Sequence, residues 1–134
     1  MNKWTLIPHK GIQCGELAIH FGMSRSALRE MMRDFFPPPQ AHFEDEDDYE
    51  NEADGTLIRV RFNDAGVQDI EFLGGILTYN GITLFGGGDW PAVRRDLAEA
   101  GNTFRDTEWL GDGQKGWCGC TVTNGIAKTG EAVA

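Results

Sequence analysis

The sequence predicts an α+β domain: an antiparallel sheet of about six or seven strands with two helices packed on one face. Three observations predict it. Segments such as Thr56-Leu57-Ile58-Arg59-Val60-Arg61-Phe62 alternate apolar and polar residues, the period of a strand with one buried face. The pair Asn80-Gly81 lies between two apolar runs and reads as a two-residue hairpin turn. Two other segments, after Ser24 and after Asp89, carry apolar residues at helical spacing. The 134 residues suit one domain, 1–134, and 18 glycines favour turns and short strands over long helices.

Leu17-Ala18-Ile19-His20-Phe21 alternates and reads as a short strand that Gly22 ends. Ser24 suits a helix N-cap, because its hydroxyl can accept from an orphan backbone N–H. Leu28, Met31, Met32 and Phe35 then form one apolar stripe, and Pro37-Pro38-Pro39 stops the helix by removing donors and crowding the preceding turn. Thr56 to Phe62 and Val67 to Leu73 flank the turn Asn63-Asp64-Ala65-Gly66 and form a hairpin with one wet face. On that face Arg59 and Arg61 can pair with Asp69 and Glu71 across the strands. Ile76 to Tyr79 and Ile82 to Phe85 form the second hairpin around Asn80-Gly81. Asp89 then caps a helix opened by Trp90 and Pro91, with Val93, Leu97 and Ala100 on its buried side and Gly101 as its stop. Phe104 to Leu110 and Trp117 to Thr123 read as further strands.

The segments Ile19-His20-Phe21-Gly22 and Thr83-Leu84-Phe85-Gly86 both end a strand in Phe-Gly ahead of a capped helix. Counted from the caps, Leu28 matches Val93, Arg29 matches Arg94, and Met32 matches Leu97. This suggests two strand–helix–hairpin units, 11–75 and 76–134.

Charge is distributed very unevenly. The chain has 21 acids and 12 bases, a net charge of −9. Eight of those acids fall in Glu44-Asp45-Glu46-Asp47-Asp48-Tyr49-Glu50-Asn51-Glu52-Ala53-Asp54, and taking them away leaves 13 acids against 12 bases. No Lys or Arg lies between Arg33 and Arg59. Like charges at this density repel and disfavour compact structure, so residues 40–55 are expected to form a solvated acidic loop. The net charge disfavours nucleic acid and anionic membrane as partners, since phosphates would be repelled. The chain begins without an apolar signal core, and its three cysteines, an odd number, suit reduced thiols; both point to the cytoplasm.

Residue types that carry chemistry are present without the spacing that chemistry needs. Cys118-Gly119-Cys120 sets two thiols on one strand face, and with Cys14 and a histidine they offer a metal site, although structural zinc pairs are usually separated by two or more residues. His9, His20 and His42 are dispersed. Gly86-Gly87-Gly88 precedes a helix, but Asp89 at its start repels an anion. No EF-hand register fits the acidic run. The expectation is therefore no enzyme, no catalytic residue, no metal ligand and no cofactor.

Two stretches carry resemblances. Ile19-His20-Phe21-Gly22-Met23-Ser24 leading into a helix resembles the opening of the outer-membrane assembly lipoprotein family and of the β-lactamase-inhibitor-like fold, although the signal peptide and lipobox cysteine of the lipoprotein members are not seen in this sequence. Val67-Gln68-Asp69-Ile70-Glu71-Phe72 with Tyr79-Asn80-Gly81-Ile82-Thr83-Leu84-Phe85 resembles small bacterial immunity proteins encoded beside secreted or contact-dependent toxins. That resemblance implies an antitoxin that binds one cognate toxin domain, usually a nuclease. Such domains are basic, and a dense anionic segment suits them. The partner-binding residues are then expected to be Glu44, Asp45, Glu46, Asp47, Asp48, Glu50, Glu52 and Asp54 for charge, with Phe43 and Tyr49 as aromatic anchors. The alternatives are a small structural or adaptor domain whose acidic loop aids solubility, and a metal-dependent enzyme built on Cys118, Cys120 and a histidine.

Overall fold

The computed structural model describes residues 3–7, 10–41, 43–86, 90–100, 120–123 and 126–129. The fold is mixed α and β, mostly sheet, with two short helices. Its described strands form two five-stranded sheets rather than the single sheet expected. The elements run β1 Lys3–Ile7, β2 Gly11–Cys14, β3 Leu17–His20, α1 Arg25–Met32, β4 Glu46–Asn51, β5 Thr56–Asn63, β6 Gly66–Gly74, β7 Ile76–Tyr79, β8 Ile82–Phe85, α2 Trp90–Glu99, β9 Cys120–Thr123 and β10 Ile126–Thr129. The first sheet has the order β3-β2-β1-β7-β8, and the second β10-β9-β6-β5-β4. Pairing is antiparallel except between β1 and β7, where Trp4 sits beside Leu77 in a parallel ladder.

Local signals set most of these elements. Asn80 and Gly81 adopt φ of 49° and 79°, the left-handed pair that a tight hairpin turn requires. The Ser24 hydroxyl accepts from the Ala27 N–H at 3.2 Å and caps α1, as expected. The helix ends at Met32, five residues before the first proline, and a turn follows. Phe36 therefore takes the buried position after Met32, and Phe35 is left 41% exposed, against the expectation that Phe35 extends the apolar stripe. On α2, Val93 is buried as expected, and Ala100, just past its end, is exposed.

One hydrophobic core joins the sheets. Trp4, Ile12, Ile19, Leu77 and Leu84 from the first meet Tyr49, Ile58, Val60, Ile70 and Phe72 from the second, together with Leu28 and Met32 of α1. Phe72 of β6 meets Phe85 of β8 edge to face, with ring centroids 5.7 Å apart. α1 lies against β3 and α2 against β8, the two edge strands of the first sheet. β1, which belongs to neither expected repeat unit, lies between the hairpins β2–β3 and β7–β8. The expected strand Phe104 to Leu110, the cap Asp89 and the stop Gly101 lie outside the described residues.

Backbone hydrogen bonds tie the turn before α1 to the second sheet. Gly22 donates its N–H to the Val67 carbonyl at 2.9 Å, and Val67 donates its own to the Met23 carbonyl at 2.8 Å. At Gly66, with φ of 106°, a Cβ would collide with the carbonyl oxygens of Gly22 and Met23. The close approach depends on the missing side chain.

The largest departure from expectation is the acidic run. Residues 46–51 are not a solvated loop but the edge strand β4, paired antiparallel with β5 from Glu46 opposite Arg61 to Asn51 opposite Thr56. Repulsion among the acids is offset by arginines from α1 and β5, which no local reading of the run includes.

Candidate functional site

Arg25 and Arg29 lie one turn apart on α1 and so project from one side of it. Between them and the sheet is Asp47, which has no exposed surface. The Asp47 Oδ1 accepts from Arg25 Nη2 at 2.7 Å and from Arg29 Nη2 at 2.7 Å, and Oδ2 accepts from Arg29 Nε at 2.9 Å. The Tyr49 hydroxyl, two residues along and on the same face of β4, donates to Oδ2 at 3.2 Å. Arg25 also donates to the carbonyl oxygens of Glu44 and Glu46 at 2.7 and 2.9 Å and stacks over the Phe62 ring at 5.0 Å.

Burial pushes the Asp47 carboxyl up, but hydrogen bonds from Arg29 and Arg25 outweigh burial and hold it below its ordinary value. Burial, then the Asp47 charge and hydrogen bond, push the Tyr49 phenol upward. The cluster is a structural lock between helix and strand.

The opposite face of the second sheet carries a charged ladder. Arg59 donates to both carboxylate oxygens of Asp48 at 2.8 and 3.1 Å. Arg61 donates to Glu46 at 2.9 Å, and its contacts to Asp69 and Glu71 are longer, at 3.4 and 3.5 Å. The expected pairing across β5 and β6 is present, but the tighter partners come from β4. Glu46 is 2% exposed, and its Oε1 has Arg59 Nε at 3.7 Å.

The ten expected partner-binding residues therefore divide. Glu46, Asp47 and Asp48 are engaged by arginines of the chain itself, and Tyr49 is buried edge to face against Phe36, so these four present little or nothing to a partner. Asp54 accepts from the Thr56 N–H in the turn between β4 and β5. Phe43, Glu44, Asp45, Glu50 and Glu52 are exposed. They form two groups at the two ends of β4, on the order of 20 Å apart for a six-residue strand. At the first end Phe43 is 67% exposed. The adjacent backbone is fixed, because the Glu44 carbonyl accepts from Arg25 and the Asp45 carbonyl accepts from the Phe62 N–H at 2.8 Å. A cleft of about 620 Å³ lies here, lined by Arg25, Glu44, Asp45, Phe62 and Asp64 among others. At the second end, Glu50 and Glu52 face the exposed Phe35 across a groove of about 710 Å³.

Phe35 is the surface residue that sequence reasoning missed. The signal was the Phe35-Phe36 pair itself: beyond the end of a helix, adjacent side chains diverge and only one reaches the core. Among the described residues, no group of three or more His, Cys, Asp or Glu is arranged to hold a metal ion. Cys118 and the side chain of Cys120 lie outside what is described. No described helix is long and apolar enough to cross a membrane. No protein-family model matches the chain, and neither a characterised protein nor a solved structure is found similar to it.

Proposed function

We propose that the chain is an inhibitory binding protein, an immunity protein that neutralises a cognate basic, nuclease-like toxin domain by occlusion. The observation that carries the proposal is Phe43, largely exposed beside the exposed acids Glu44 and Asp45 on a backbone held by Arg25 and Phe62. An aromatic side chain on a rigid mount loses little freedom on binding and anchors a partner well. The surrounding negative charge speeds encounter with a basic surface and sets orientation. The residues assigned to contact are Phe43, Glu44, Asp45, Glu50 and Glu52.

A second reading, a small structural or adaptor domain, draws on a different observation. Glu46, Asp47 and Asp48 serve the fold, so part of the acidity needs no partner to explain it.

One experiment separates the two. The basic C-terminal domain of a secreted protein encoded beside this chain is assayed for nuclease activity with and without it. The immunity reading expects inhibition, an affinity that weakens as salt rises, and a loss of about tenfold or more in Phe43→Ala. Undiminished nuclease activity at saturating concentrations of this chain would leave the adaptor reading.

A further inference from the structure

The groove at the second end of β4 has features that the Phe43 corner lacks. One wall is the Phe35–Pro38 segment, and the other is formed by Glu50, Glu52 and Leu57 at the ends of β4 and β5. Its apolar surface comes from the exposed Phe35 ring, the two prolines and the half-buried Leu57.

The charges in it are unbalanced. Its two arginines are already engaged, Arg33 by Glu30 at 2.8 Å and Arg59 by Asp48 at 2.8 Å. The exposed carboxylates of Asp34, Glu50 and Glu52 take part in no ion pair or hydrogen bond among the described residues. A cationic side chain laid against Phe35 would meet an aromatic face and a carboxylate together.

A strand edge also opens onto this groove. β4 is the outermost strand, and Asp48 turns its N–H and C=O outward to Gln40, at 2.6 and 3.1 Å. Two residues on, Glu50 points its backbone groups the same way. Continuing the Gln40–Asp48 register would set Pro38 against Glu50, and a proline has no N–H to give. The Glu50 backbone groups are left without a backbone partner among the described residues. An extended chain offers what is lacking here, namely a donor and an acceptor for the edge and cationic side chains for the rim.

We infer that this groove receives an extended segment of a protein partner bearing arginine or lysine at alternate positions. The inference rests on the binding reading above and assigns what its Glu50 and Glu52 contact. Alternate side chains of an extended segment share a face, so such a segment directs its cations together toward Asp34, Glu50 and Glu52. Phosphate-bearing ligands are disfavoured by the same carboxylates.

The test is an amide NMR titration of the full chain at about 0.15 M salt, with a hexapeptide alternating arginine and serine and a control alternating glutamate and serine. The arginine peptide should shift the amides of Phe35, Glu50 and Glu52 and leave Glu44 and Asp45 in place. The glutamate peptide should shift none of these. Glu50→Gln with Glu52→Gln should weaken binding about fivefold or more, and the control Glu16→Gln with Glu99→Gln, two exposed acids of other elements, should change it by less than about twofold. Phe35→Ser should weaken it about threefold or more without altering the fold, because Phe36 and not Phe35 fills the core. Shifts centred on Glu44 and Asp45, equal losses in the two double variants, or no shifts at millimolar peptide would each overturn the groove assignment. Shifts unchanged by peptide but dependent on protein concentration would mark the groove as a self-contact and overturn it too. If a toxin domain is inhibited equally well by the groove variants, the groove assignment falls and the immunity reading stands. Groove binding without toxin inhibition has the opposite meaning.

Discussion

Asp47 is the residue on which the region around β4 depends. A carboxylate with no exposed surface is costly unless charged, directional donors replace its water. Arg25 and Arg29 supply four such bonds, and Tyr49 adds a fifth. Removing the charge should therefore cost more than removing either arginine. Asp47→Asn should destabilise the chain by about 2–3 kcal/mol in denaturant unfolding, below the value for a wholly buried pair because both arginines are partly in water. Arg29→Ala should cost about 1 kcal/mol, since Arg25 remains. The pH dependence has a definite sign. The folded Asp47 holds its proton less tightly than the unfolded residue, whose ordinary value is 3.8. The stability it contributes is thus present above that value and is lost as pH falls below it, through the lower folded value. Wild type should lose stability on acidification in that range, and Asp47→Asn should lose less. Identical acid limbs for the two proteins would rule out Asp47 as a source of the pH dependence.

Among the elements, β4 is the one that defies its own composition. Six residues, five of them acids or an amide, make a strand because each alternate side chain meets a specific partner: Asp47 and Tyr49 inward, Glu46 and Asp48 on the ladder face. The junction between β3 and α1 has a different origin, resting on backbone contact with β6 at Gly66. Gly66→Ala should force that turn off the sheet and cost about 1–3 kcal/mol, from positive φ and from the collision with two carbonyls. Because the turn sets the start of α1, the change should also weaken the Arg25–Asp47 contact. Faster amide exchange at Gly22 and Val67 would report the loosening directly, and unchanged exchange at both would contradict the role given to Gly66.

Over the whole molecule, the acids around β4 divide into two sets that substitution can separate. Glu46, Asp47 and Asp48 balance internal arginines; Glu44, Asp45, Glu50 and Glu52 face solvent. Neutralising the four outer acids together should shift stability by no more than about 1 kcal/mol, because surface substitutions away from specific contacts are individually small. Neutralising the three inner acids should cost about 4 kcal/mol or more, by leaving four arginines without their nearest counter-charges. Thermal unfolding of the two variants checks this, and equal losses would show that the division is wrong. If the proposed immunity function is right, toxin inhibition should respond in the opposite sense, with the outer set decisive.

The sequence by itself determined the alternating strands β5 and β6, the hairpin at Asn80-Gly81, the Ser24 cap and the uneven charge. Each of these is a local pattern, written in residues a few positions apart. The strand β1 was not read from the sequence, and its parallel partner β7 lies more than seventy positions away. The division into two sheets, the strand at 46–51 and the split of the acids into structural and exposed sets were decided only by tertiary structure. The physical reason is that a carboxylate's role depends on which cation reaches it. Arg25 and Arg29 lie 22 and 18 positions before Asp47, and Arg59 and Arg61 lie 11 and 15 positions after Asp48 and Glu46. Folding brings these charges within 3 Å of one another, and an excess of acid in the sequence becomes, for three of its members, a set of internal bonds.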